Sequence, residues 1–301
     1  MRDLIFITRQ GTKIRRKDNQ IVVYLNDNKI GAFPINQIKK LFLFGNIEIS
    51  MPSINFLLSR DAEIYLLSNT GKFKGLITNT KLESNYNLRL KQYHSLINPT
   101  QNLKMAKYFV FRKIETIEKF TGTKLSDLKN LLMNSENYNE ILGIEGTASA
   151  FFFTVLREEL KDKNIGFEKR EYRPAKDPVN ASLSLVYSLY YSLLFSILQA
   201  KGYDPYIGYL HKKRGSHAVL VSDFMELFRV DLSKFVIVMF NNEFISKDNF
   251  TISSNGCYLK EDSLKKFLQA FKENYIDNKK YQSEMEKETK QFAEILQNQE
   301  G

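Results

Sequence analysis

The chain has 301 residues, 43% of them hydrophobic and 26% charged, which fits a globular protein of one to three domains with a sizeable core. It carries 44 Lys and Arg against 34 Asp and Glu, a formal net charge of +10, and that excess favours an anionic partner, either nucleic acid or an acidic membrane surface. Its one cysteine, Cys257, excludes a disulfide framework or a thiolate metal site within the chain.

Met1-Arg2-Asp3 reaches an acidic residue at once with no long apolar run behind it, so no signal peptide is expected and a cytoplasmic protein follows. Residues 3–80 read as β-rich. Leu4 to Ile7, Lys13 to Arg16, Gln20 to Leu25, Ile30 to Pro34, Ile38 to Phe44, Ile47 to Ile49, Glu63 to Leu67 and Phe73 to Ile77 are short runs split by polar turns such as Lys17-Asp18-Asn19. Pro52 opens one short helix among them, Ser53 to Ser59. The polar stretch that follows predicts a linker at 81–87.

From Leu88 the apolar spacing is helical. Pro99 opens a long amphipathic helix through Phe120, with Leu103, Ala106, Val110, Ile114 and Ile117 on one face. Lys104, Lys107, Arg112, Lys113 and Lys119 form the other, which reads equally as a solvated face or a phosphate-contacting one. Helices follow at Leu125 to Met133 and Ile141 to Lys163, the latter with Glu145 in its first turn. A loop rich in basic residues carries Lys169, Arg170, Arg173 and Lys176. Asp177 then caps, and Pro178 starts, a helix running to Ala200 with no charged residue. That helix reaches the roughly 20 residues a membrane span needs, yet Ser184, Ser188, Ser192 and Ser196 recur every four residues. Such a stripe lets another helix approach closely, so the buried centre of a soluble bundle is expected and no membrane. Ala218 to Arg229 is helical, Leu232 to Phe240 reads as a strand or a buried helix, and Ser263 to Tyr275 is helical. The charged segment Lys279 to Gln297 is either a terminal helix or a partly disordered tail. The expected fold is α+β: a small N-terminal β-sheet domain at 1–80, then a larger all-α domain at 88–301.

Three side chains in this second half carry candidate chemistry. Glu145 lies between two glycines in Leu142-Gly143-Ile144-Glu145-Gly146, where burying a carboxylate costs several kcal/mol unless it is paired or metal-bound. A helix-start acid satisfied by the macrodipole is the plain alternative. His211 stands at a Gly-Tyr-Leu corner, where a lone histidine is often structural. Asp223 and Glu226 are three apart and share one helix face among apolar neighbours, which argues for a buried acidic face. Taken together, Glu145, His211 and Glu226 are candidate ligands for Mg2+ or Mn2+, since oxygen donors with one imidazole suit those ions better than zinc. Lys212, Lys213, Arg214 and Arg229 beside them would hold a phosphodiester backbone.

Four motifs in order resemble the CRISPR-associated integrase and endonuclease of spacer acquisition, the first of the Cas proteins. They are Leu142 to Gly146, the glutamate helix; Tyr172 to Ala181, the arginine-proline to DPVNA segment; Gly202 to His211, the DP-x-x-G-x-LH corner; and Ser222 to Arg229, the DLMExFR helix. Tyr172 stands where the family usually carries arginine, and Phe152 where it carries tyrosine. The resemblance implies a catalytic helical domain and a homodimer formed through the β domains. It implies metal ligation by Glu145, His211 and Glu226 with Asp223 close by. Asn180 and Tyr187 match positions lining the site, and Arg173 and Arg229 are among the implied DNA contacts. The activity implied is metal-dependent cutting and joining of double-stranded DNA, inserting captured fragments beside a CRISPR repeat, with the small second Cas protein bridging two dimers. A non-catalytic nucleic-acid-binding module on the same fold is the alternative.

Overall fold

The computed structural model describes residues 4–79, 86–161, 163–171, 174–212, 215 and 217–297. Arg173, Lys213 and Arg214, and most of the expected linker at 81–87, lie outside the described residues. The chain divides into two units, residues 1–82 with 261–283 and residues 83–260 with 284–301. The segment 261–283 therefore groups with the β-rich residues rather than with the stretches that flank it in sequence.

The first unit begins with strands β1 (Leu4–Ile7), β2 (Lys13–Lys17), β3 (Gln20–Leu25), β4 (Asn28–Pro34), β5 (Lys40–Phe44) and β6 (Glu48–Ile49). Helix α1 (Met51–Leu58) and strands β7 (Glu63–Leu67) and β8 (Phe73–Ile77) complete its N-terminal portion. They form two four-stranded sheets, ordered β1-β5-β7-β8 and β4-β3-β2-β6. β5 runs parallel to both neighbours, with Leu41 opposite Ile64 and Phe42 opposite Tyr65. An internal parallel strand is covered on both faces, which is why Leu41-Phe42-Leu43-Phe44 is unbroken apolar sequence rather than alternating. Ile14, Ile21, Leu41, Leu57 and Ile64 pack in the core of this unit.

The second unit is built from α2 (Tyr86–Ile97), α3 (Pro99–Thr121), α4 (Ser126–Asn134), α5 (Tyr138–Glu159), α6 (Pro178–Ala200) and α7 (Val219–Asn241). A hairpin follows, β9 (Phe250–Ser253) and β10 (Gly256–Leu259), so this unit is not purely helical as the sequence suggested. The two-residue turn Ser254-Asn255 joins the strands, with Gly256 paired to Ser253. The remaining helices are α8 (Glu261–Phe271), in the first unit, and α9 (Lys279–Gln297), whose part from Glu284 belongs to the second.

Local signals set the helix starts. The Asp177 carboxylate accepts from the backbone N–H of Asn180 at 2.8 Å ahead of Pro178, and Asn98 caps α3 in the same way, accepting from Gln101 at 3.1 Å. α5 departs from expectation. It starts at Tyr138, because Asn137 caps it by accepting from Glu140, so Glu145 falls in the second turn rather than the first. The macrodipole explanation for that carboxylate is thereby weakened, since the effect fades beyond the first turn. The two readings offered for Leu232 to Phe240 resolve to helix: α7 runs unbroken for 23 residues.

α6 packs along α7, and α3 packs against both α5 and α7. Ser182, Ser192 and Ser196 are buried, so α6 spends its apolar length inside the unit; 72% of its most apolar window is buried. The part of α9 from Glu284 packs into this unit. Fully buried Phe292 sits with its ring centroid 5.1 Å from Phe224, 5.5 Å from Phe109, 5.6 Å from Tyr203 and 6.0 Å from Tyr209. The segment left open between helix and disordered tail is an ordered helix, because Met285, Thr289, Phe292 and Leu296 recur at helical spacing and are buried.

Candidate active site

The site begins at the corner 208–211. Asp223, fully buried on α7, accepts from the backbone N–H groups of Tyr209 at 2.6 Å, Leu210 at 3.1 Å and His211 at 3.0 Å. Its Oδ1 also lies 2.8 Å from His211 Nδ1. The corner can come this close only because residue 208 is glycine. A Cβ there would stand 2.7 Å from Asp223 Oδ2 and 2.8 Å from the backbone nitrogen of Leu220. An ionised carboxylate only accepts, so Nδ1 carries a proton and Nε2 is the nitrogen left to face the site, 3.9 Å from Glu226 Oε1. Burial alone would lower the pKa of His211, but the hydrogen bond and charge of Asp223 outweigh it and hold the imidazole above its usual 6.5. Asp223, with all these partners, orients the histidine and stands behind it.

Glu145 on α5 and Glu226 on α7 meet at a third side chain. The Lys113 ammonium on α3 donates to Glu145 Oε1, to Glu226 Oε2 and, at 2.7 Å, to Ser149 Oγ. Ser149, one turn along α5, donates to Glu145 Oε1 at 2.8 Å. Lys113 and Glu226 are each only 2% exposed, whereas Glu145 is 22% and His211 35% exposed. The cluster is thus closed beneath Glu226 and open beside Glu145 and His211. Among the described residues, no three His, Cys, Asp or Glu side chains are arranged as a metal cage. The physical reason is the ammonium between the two carboxylates. A monovalent cation already bridges them and offsets one of their two charges.

Arg229 closes the other side of Glu226, its Nε 3.1 Å from both carboxylate oxygens, with its guanidinium 4.8 Å above the Tyr187 ring. Burial by itself would raise the pKa of Glu226, but Arg229 and Lys113 outweigh it and hold the carboxyl far below its ordinary 4.5. A depressed folded-state pKa stabilises the fold above the unfolded value and loses that contribution as pH falls. Metal-free protein should therefore lose melting temperature as pH drops from about 5 to about 3. Glu226→Gln should flatten that acid limb, and an unchanged limb in the variant would count against this account.

The other expected contacts are placed differently. Asn180 is fully buried, and both ends of its amide are engaged. Its Oδ1 accepts from Arg170 at 2.8 Å and the Glu171 N–H at 2.9 Å, while its Nδ2 donates to the Lys169 carbonyl at 2.8 Å and to Asp177. It braces the loop onto α6 instead of reaching a phosphate. Tyr187 is also buried, with its hydroxyl on Ser233 and its ring between the guanidiniums of Arg170 and Arg229. Lys212 is exposed at the mouth, its ammonium 5.6 Å from the Tyr138 ring. It lines a cleft of about 360 Å3 together with Tyr138, Tyr206, Tyr209 and His211.

Lys113 is the residue that sequence reasoning put on the wrong face. The signal was present: it follows Phe109 by four residues and precedes Ile117 by four, inside the buried stripe of Met105, Ala106, Phe109, Val110, Ile114 and Ile117. A lysine in register with a core stripe needs a buried anion. The basic face itself is partly committed. Arg112 is paired with Glu115 and Glu288, and Lys107 donates to the Met133 carbonyl at 2.8 Å.

The family described as CRISPR associated protein Cas1 matches this chain over residues 5–273. A CRISPR-associated endonuclease Cas1 from Thermodesulfovibrio yellowstonii is 31% identical over 289 residues, covering 89% of this chain and 90% of its own. A CAS1 protein from Thermotoga maritima has the same fold, with a TM-score of 0.87 at 23% identity over 99% of this chain and 98% of its own. A chain from a Cas6-RT-Cas1–Cas2 complex matches with a TM-score of 0.82 at 21% identity, over 98% of this chain and 35% of that longer one. With the match spanning both units, and with Glu145, His211 and Glu226 from three of the four motifs meeting at one cluster, the chain belongs to the Cas1 family of CRISPR-associated proteins.

Proposed function

We propose that this chain is the DNA endonuclease and integrase of a CRISPR spacer-acquisition system, cutting DNA and inserting captured fragments beside a repeat by phosphodiester transesterification. The observation that carries this reading is a convergence. Glu145 and Glu226 share one ammonium, and His211 Nε2 lies 3.9 Å from Glu226, all at the family's motif positions.

Two carboxylates and one imidazole nitrogen form a mixed oxygen and nitrogen donor set that fits Mg2+ or Mn2+. The place between the carboxylates already attracts a cation, which agrees with that demand. Glu145, His211 and Glu226 would hold the ion, and when bound it supplies charge stabilisation at the phosphate under attack. The chain's own groups do the remaining work. Asp223 keeps the His211 proton on Nδ1 and points Nε2 inward. Exposed Lys212, next to His211 at the open side, offsets phosphate charge, and Arg229, 25% exposed beside Glu226, adds to it. In the joining step the fragment's 3′-hydroxyl oxygen bonds to the repeat phosphorus and loses its proton. The bond from that phosphorus to the 3′-oxygen of the nucleotide preceding the repeat breaks, freeing a new 3′-hydroxyl there. One diester replaces another, so no outside energy source is needed.

The β-rich unit carries the homodimer contact, and a small second Cas protein joins two dimers on double-stranded DNA. The deciding assay uses supercoiled repeat-bearing plasmid with Mn2+, with and without chelator and the second protein. Wild type should nick and join strands, and Glu145→Ala, His211→Ala and Glu226→Ala should not. DNA binding with activity in none of the four proteins would leave only a binding module.

A further inference from the structure

We infer that Lys113 is a built-in counter-cation: its ammonium holds Glu145 and Glu226 together in the metal-free protein and gives way when a divalent ion takes the carboxylates. This rests on the proposed metal site and concerns how that site is kept ready. Two observations and one physical argument support it. Lys113 is 2% exposed and its ammonium donates to both carboxylates, one carried by α5 and one by α7, so it links three helices at one point. Without it, only Arg229 on Glu226 would offset the two carboxylates, in a site closed on one side, where like charges repel and desolvation is costly. Finally, Ser149 Oγ stands 2.7 Å from the same ammonium, a neutral partner that remains when the carboxylates are given up.

A divalent cation entering between Glu145 and Glu226 meets a resident positive charge in contact with both. At such separations the repulsion is large even when well screened, so the lysine lowers metal affinity while preserving ligand geometry. Lys113 is a positioning residue in this scheme, and its loss has two opposite effects. The metal-free protein becomes less stable, and the divalent ion binds more tightly.

The test measures Mn2+ binding by titration calorimetry, and melting with and without Mn2+, for wild type, Lys113→Met and Lys113→Gln. Lys113→Gln keeps a hydrogen-bonding group and serves if the methionine variant does not fold. The folded variant should melt below wild type without metal, bind Mn2+ at least about tenfold more tightly, and gain more melting temperature on adding it. Equal or weaker binding in that variant overturns the inference. In crystals of wild type soaked in Mn2+, the Lys113 ammonium should have left at least one carboxylate, and its retention on both overturns the inference without any variant. Glu145→Gln in the wild-type background separates the two levels of the argument. If it leaves Mn2+ binding untouched, the metal is elsewhere, and the site assignment fails together with the role of Lys113.

Discussion

Asp223→Asn should leave the chain folded yet weaken Mn2+ binding and strand cutting by about 10- to 100-fold, the usual cost of losing a carboxylate behind a metal-binding histidine. The amide oxygen can still accept from the Tyr209 and Leu210 N–H groups, which now share one carboxylate oxygen at 2.6 and 3.1 Å. The other end becomes an NH2 group facing the His211 N–H and Nδ1, where the protein now has an acceptor. Two donors cannot share that contact, so the imidazole shifts its proton to Nε2 and the lone pair aimed toward Glu226 is lost. Asp223→Ala should do more, because it also strands buried backbone N–H groups, and a loss of about 4 kcal/mol is expected. Calorimetric Mn2+ titration and thermal melts separate the two variants. Wild-type affinity in Asp223→Asn would show that the tautomer does not matter.

Phe292→Ala should cost about 3 to 5 kcal/mol, among the largest effects a single truncation produces. The ring is fully buried and touches aromatic side chains from three site-bearing segments: Phe109 on α3, Phe224 on α7 and Tyr209 beside the histidine corner. Phe109 is one turn from Lys113, and Phe224 is next in sequence to Asp223. Removing the ring opens a cavity under all three. For a unit of this size the melting temperature should fall by roughly 10 °C, and Phe292→Leu should lose less than half of that. A melt within about 2 °C of wild type for Phe292→Ala would mean that α9 adds little to this unit.

The same α9 shows where sequence reading stops. Its charged residues left helix and tail both open, and the aromatic pocket around Phe292 decides for the helix. Asn180 marks a different limit. Its place in the DPVNA segment suggested a contact with DNA, whereas its amide is consumed by Arg170, Glu171, Lys169 and Asp177. A motif position says that a residue matters, but its hydrogen-bond partners say how. Lys113 was misassigned because its charge, rather than its register with Phe109 and Ile117, was taken to set its face.

By itself, the sequence determined the strands of the first unit, the start of α6 at Asp177-Pro178, the burial of that helix and the residue types of the candidate site. Each depends on interactions within a few residues: periodicity, caps and turns. The tertiary structure alone decided what those side chains meet. Lys113 reaches Glu145 across 32 residues and Glu226 across 113, and Asp223 reaches back 12 to His211. Such pairings come from the packing of α3, α5 and α7, where low polarity and missing water make an unpaired charge costly enough to select its partner.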